Sequence, residues 1–175
     1  SHGGTAPNVV PDFAEARFLV RHRRLEQVIE LKERVVRAAE GAAMSVGARV
    51  EVDEGMMLAD RVNNFPLAQR FAGYLVEQNI ELQEPPTVGG VGSSDFGNLS
   101  HVLPAIHPYV KIAPEGTSNH TPAFAKAAGS PEGLAAMISA AKALAATTVD
   151  LALEPELLER AKADFATAVT QPLGS

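Results

Sequence analysis

Apolar positions along this chain follow two different periods, and the change from one to the other predicts the order of elements. In "AEARFLVR" (14–21) small or apolar residues alternate with charged ones, the pattern of a half-buried strand. From 23 to 47 the step lengthens. Leu25, Val28, Ile29, Val35, Val36 and Ala39 recur every three or four residues, which predicts a long amphipathic helix stopped near Gly47. "ARVEVDEGMM" (48–57) returns to period two and reads as another strand, with Met56 and Met57 as core filler. An earlier extended segment is punctuated by Pro7 and Pro11, so the order is strand, strand, helix, strand, which matches most of a small α+β sandwich with one helix layer over an antiparallel sheet. With few strands, that sheet would keep an open edge of the sort that pairs with another chain.

Helical spacing dominates the remainder. "NFPLAQRFAGYLVEQNI" (64–80) predicts a helix with Asn64 as N-cap next to Pro66. "LQEPPTVGGVGSSDFGN" is dense in turn residues, and "HVLPAIHPYVKIAP" (101–114) is apolar but broken by proline, so short strands are expected there. "SPEGLAAMISAAKALAATTVDLAL" (130–153) predicts an alanine-rich core helix with Ser130 as N-cap, Pro131 in the first turn and Glu132 behind it. A last helix restarts at Pro155. The fold class expected is therefore α/β (α+β), with two pieces, 1–62 and 63–175.

Composition narrows the function. A chain of 175 residues with 46% hydrophobic and 21% charged residues has ordinary globular usage and can bury a core. A net charge of −6 gives no footprint for nucleic acid. No cysteine is present, so any metal must be held by His, Asp or Glu. We read no unbroken apolar run of the ~18 residues that a bilayer crossing takes, and "SHGGTAPNVV" lacks a signal-peptide profile. The expectation is a cytoplasmic protein with no membrane and no nucleic-acid partner.

Two stretches carry candidate chemistry. "EGTSNHTPAF" (115–124) sets His120 in a polar turn, where a surface role and a metal-ligand role are both open. One histidine cannot specify zinc, which takes about three or four protein ligands, and neither HxD nor HExxH spacing occurs. In "GGVGSSDFGN" (89–98), Gly92 allows close backbone approach and Ser93 and Ser94 offer hydroxyls, a cradle for a carboxylate or phosphate. An ordinary turn with Asp95 capping the next element explains the same residues. The basic run "RHRR" (21–24) is either solvated surface or the source of an arginine that clamps a carboxylate.

Three blocks in register, "GGTAPNVVPDFAEARFLVR", "GSSDFGNLSHVLPAIHPYVKI" and "GTSNHTPAFAKAAGSPEG", resemble the dinuclear-zinc amidohydrolases of the aminoacylase and carboxypeptidase G family. Within it they are most similar to the p-aminobenzoyl-glutamate hydrolase and β-alanyl-lysine dipeptidase branch. The resemblance implies that residues up to about 60 are the latter part of a lid or dimerisation domain and the rest is the carboxy-terminal half of a catalytic domain. It implies His120 as a metal ligand, Arg21 as the substrate-carboxylate anchor, Asn8 reaching a neighbouring subunit's site, and Gly92, Ser93 and Ser94 lining the pocket. The cofactor implied is Zn2+, two per site, or Mn2+. The partners implied are a small peptide or N-acyl amino acid substrate and a second copy of the chain. The family's His-x-Asp pair, bridging carboxylate and glutamate base find no counterpart here. Two readings result: a fragment of an amidohydrolase or dipeptidase, inactive alone, or a non-catalytic oligomerisation module derived from one.

Overall fold

The computed structural model describes residues 2–22, 24–83 and 94–170, and the chain divides into two compact units, 1–60 and 61–175. In the first unit a 21-residue helix, α1 (Leu25–Ser45), is flanked by extended segments. Arg24 occupies its N-cap position without a side-chain cap bond. The side chain of Asp60 does that work instead, accepting from the Leu25 N–H at 3.0 Å. The helix ends where predicted: Val46 caps it and Gly47 takes the left-handed φ of +67° that glycine adopts without strain. Glu30–Arg34 and Glu33–Arg37 pair at one-turn spacing on its exposed face, in the favourable order with the acid N-terminal. Lys32 reaches Glu54 at 2.8 Å, tying the helix to the 48–60 segment.

The expected strands of this unit are extended chain without ladders. One isolated antiparallel bridge joins His2 and Glu15 through bonds of 2.8 and 2.7 Å, and the rings of His2 and Phe13 stack beside it. The helices of the α/β expectation are formed, and no strand is formed among the described residues. Alternation decides which side chains share a face. A strand also needs a neighbouring backbone to take its N–H and C=O groups along its length, and among the described residues a single bridge, His2 to Glu15, meets that need. None of the described residues here is buried, and Val10, Phe18 and Leu19 are largely exposed. Met56, read as core filler, is 81% exposed.

The second unit is helical, with α2 (Phe65–Glu77), α3 (Phe96–Ser100), α4 (Pro122–Ala128), α5 (Pro131–Leu153) and α6 (Pro155–Thr170). Helix α2 packs against α5 and α6, and α4 against α5. Phe71, Leu75 and Ala143 form a buried centre, joined by Tyr74, Ile80, Ile106, Val110 and Ala140. Leu157 and Ala161 on α6 are buried as well. Asn64 caps α2 as predicted: its Oδ1 accepts from the Leu67 N–H at 3.3 Å, while its Nδ2 donates to the Ala161 carbonyl at 2.8 Å. Ser130 caps α5 through the Gly133 N–H at 3.1 Å. The 101–114 stretch, expected as short strands, is extended chain after a turn at its start. It is held by its neighbours: Asn64 donates its N–H to the Ala105 carbonyl at 2.9 Å, and Ile106 and Val110 pack on the core.

A polar clamp fastens α2 to the junction of α5 and α6. Arg70 forks onto Glu154 and also donates to Asp150 at 2.9 Å, and the Tyr74 hydroxyl donates to the same Asp150 oxygen. That bond foremost, and burial after it, raise the Tyr74 pKa above its ordinary 10.0. The folded state thus holds the phenol proton more tightly than the unfolded chain. The resulting stabilisation is complete below pH 10 and is lost as pH climbs through the raised value. Urea titrations followed by far-UV circular dichroism should show stability falling above pH 10, and Tyr74→Phe should flatten that slope. An unchanged slope in the variant would assign the alkaline loss elsewhere.

Helix α5 departs from the sequence reading in two ways. Only Gly133, Ala143 and Thr147 are buried, whereas Leu134, Met137, Ile138, Val149 and Leu153 are half or more in solvent or close to it. It is thus a core helix on one narrow stripe. It is also, by length and composition, long and apolar enough to cross a membrane, with a mean hydropathy of 1.4. Its apolar run is not unbroken, because Ser139, Lys142, Thr147 and Asp150 interrupt its alanines. A helix packed in a protein core meets the same criterion.

Candidate functional site

His120 lies in a turn that its own polar residues hold together. The Thr117 hydroxyl donates to the Pro114 carbonyl at 2.8 Å, and Gly116 takes a left-handed φ of +83°. The Thr121 hydroxyl donates to the Ser118 carbonyl at 2.8 Å and caps α4 by accepting the Phe124 N–H at 3.2 Å. Between these ties His120 itself is exposed and adopts φ +62°, a left-handed conformation uncommon outside glycine. Such a conformation costs about 1–3 kcal/mol and persists where the surroundings hold it; the threonine bonds lie on either side of it. The turn therefore holds an imidazole in solvent reach on a fixed backbone.

The other residues singled out by sequence sit as follows. Asn8 is exposed in a turn closed by the Val9 N–H donating to the Ala6 carbonyl at 3.3 Å. Arg21 is exposed on extended chain and has no hydrogen-bond or ion partner among the described residues, so its guanidinium is available to a carboxylate. Both belong to the first unit. Gly92 and Ser93 lie outside the described residues. Ser94 is half-buried; its Oγ accepts from the Phe96 N–H at 3.2 Å. Asp95 holds the N-cap position of α3 without a side-chain cap bond, so the adjoining serine ties down the backbone there.

A metal test follows from the donors present. The described residues contain no group of three or more His, Asp or Glu placed to share an ion. His120 offers one nitrogen where zinc takes about three or four ligands. The described residues do not by themselves fit a complete zinc centre, and no chemical step is derived through one.

One cluster escaped the sequence reading. Arg61 Nη1 lies 3.0 Å from His107 Nδ1 and donates to the Tyr109 hydroxyl at 2.6 Å. The Phe96 ring stacks on His107 at 4.9 Å, and the Arg61 guanidinium lies over the Tyr109 ring at 5.2 Å. Because Ser94 anchors the Phe96 backbone, this cluster is continuous with the serine end of the glycine-rich loop. The partners are 46 and 48 residues apart in sequence, and no local pattern joins them. A cleft of about 410 Å³ elsewhere in the unit is lined by Pro66, Arg70, Gly73, Tyr74, Leu157 and Arg160. Its Arg70 is already matched by two carboxylates and serves the fold.

No family model matches the chain. It is 34% identical to the Xaa-Arg dipeptidase of Homo sapiens and 30% identical to the Xaa-Arg dipeptidase of Mus musculus, each over 94% of its own length. The chain spans 38% of the length of those curated relatives. Both relatives are dipeptidases, and the similarity runs along nearly the whole of this chain.

Proposed function

We propose that this chain is the carboxy-terminal portion of a metal-dependent amidohydrolase or dipeptidase that hydrolyses the amide bond of a dipeptide-like or N-acyl amino acid substrate. The observation that carries the reading is the similarity to dipeptidases along 94% of the chain. The exposed, backbone-fixed imidazole of His120 and the unpartnered Arg21 are consistent with it. In this reading Arg21 anchors the substrate carboxylate, Ser94 borders the pocket, Asn8 completes a neighbouring subunit's site, and His120 gives one nitrogen to a Zn2+ or Mn2+ ion. The remaining metal donors and the general base come from outside the described residues. Holding the carboxylate fixes where the scissile amide sits, which is the chain's own part in lowering the barrier. The apolar residues of α5 and of the first unit left in solvent favour a covering partner, another part of the protein or a second copy.

The 175-residue chain by itself is expected to bind Zn2+ weakly in isothermal titration and to release no amino acid from an Xaa-Arg dipeptide. A longer protein matching the relatives' length is expected to hydrolyse that dipeptide, with His120→Ala abolishing turnover. Tight stoichiometric zinc binding and hydrolysis by the short chain would overturn the fragment reading. A longer protein without activity would overturn the hydrolase reading.

A further inference from the structure

The hydrogen-bond inventory around Arg61 is one-sided. A guanidinium only donates, so His107 Nδ1, 3.0 Å from Nη1, must accept, and the ring proton then sits on Nε2. Tyr109 likewise accepts from Nη1, leaving its own hydroxyl proton to give. Arg61 Nε and Nη2 and His107 Nε2 have no acceptor among the described residues. Nor does any carboxylate there lie within ion-pair distance of Arg61. The contrast is with Arg70, whose charge is matched by the carboxylates of Glu154 and Asp150.

We infer that Arg61, His107 and Tyr109 form a carboxylate-binding site of the second unit, with the free edge of the Arg61 guanidinium as its anchor. Every strong bond still on offer is a donor, the requirement for an anion. The planar two-pronged edge matches a carboxylate, and the single cation suits a monoanion better than a phosphate dianion. Phe96 and Tyr109 brace the two polar groups from either side, Phe96 by stacking on His107 and Tyr109 by receiving the guanidinium over its ring. Tyr109 is 71% exposed, so a small ligand can reach the cluster. If Arg61 only tied the 105–109 segment to α2, one nitrogen would suffice, and an uncharged donor would do the same without placing an unmatched cation there. The inference goes beyond the hydrolase reading and does not depend on it.

The test uses the 175-residue chain and N-acetylglycine as probe, with N-acetylglycinamide, which lacks the carboxylate, as control. Nuclear magnetic resonance of the His107 and Tyr109 ring signals should show a saturable shift with the acid and none with the amide. Arg61→Gln should weaken binding at least about tenfold, the scale of one hydrogen bond to a charged group. Arg61→Lys, which keeps the charge and one donor, should fall between and guards against a folding defect. Arg49→Gln, at an exposed arginine of the first unit with no part in either site, should leave the shift intact. Four results each overturn the proposal: no acid-specific shift, a shift undiminished in Arg61→Gln, a shift lost equally in Arg49→Gln, or stronger binding of inorganic phosphate than of N-acetylglycine.

Discussion

Gly133→Ala is expected to destabilise the second unit by about 2 kcal/mol, a clash at the upper end of the overpacking range less the usual benefit of alanine in a helix. Helix propensity alone would favour alanine by about 1 kcal/mol. Gly133 is buried in the first turn of α5, however, directly beneath the end of α4. A Cβ there would run into the Ala127 carbonyl oxygen and lie 3.0 Å from the Ala128 oxygen. Both are backbone atoms of a short helix held by the Thr121 and Ser130 caps, so neither can swing aside as a flexible side chain would. Overpacking of this kind costs about 1–3 kcal/mol and occasionally more, which outweighs the propensity gain. Both tyrosines, Tyr74 and Tyr109, belong to the second unit, so tyrosine fluorescence in urea reports its unfolding specifically. A midpoint unchanged or raised in Gly133→Ala would show that α4 can move away from α5 at little cost.

Asn64→Ala should cost roughly 2–4 kcal/mol by the same measurement, the sum of a lost cap that strands the Leu67 N–H and a lost buried bond to the Ala161 carbonyl. Asn64 is 2% exposed, and its amide works at both ends. Oδ1 receives the Leu67 N–H and Nδ2 gives to the Ala161 carbonyl, so one side chain starts α2 and fastens it to α6. Alanine leaves the Leu67 N–H without water and without its acceptor, since Leu67 is itself buried. Asn64→Asp separates the two duties. It keeps the capping oxygen, and its negative charge suits a helix N-terminus, but it turns a second acceptor toward the Ala161 carbonyl. An intermediate loss is therefore expected. Loss equal to that of alanine would mean that the bond to α6 carries most of the effect.

The sequence foresaw one of these two residues. An asparagine preceding Phe-Pro and an apolar stripe is a local signal, because a cap bonds an N–H only three residues away. The glycine gave no such signal, because its constraint comes from α4. His120 and Arg21 were legible as residue types worth attention, and their exposure agrees with an accessible role. Arg61 was passed over entirely. Its partners are brought up by the return of the 101–109 segment alongside α2, and no spacing rule encodes that return.

By itself, then, the sequence determined what depends on neighbours within a turn or two: the helix stop at Gly47, the start at Pro155, the caps at Asn64 and Ser130, and the side-chain face each stretch would present. It also established the similarity to dipeptidases. The tertiary structure alone decided whether period-two segments find a backbone to pair with, which of the alanine-rich helix's residues are covered, and which distant polar groups complete one another. Hydrogen-bond satisfaction and close packing are sums over neighbours remote in the chain, whereas helical periodicity and capping are local sums.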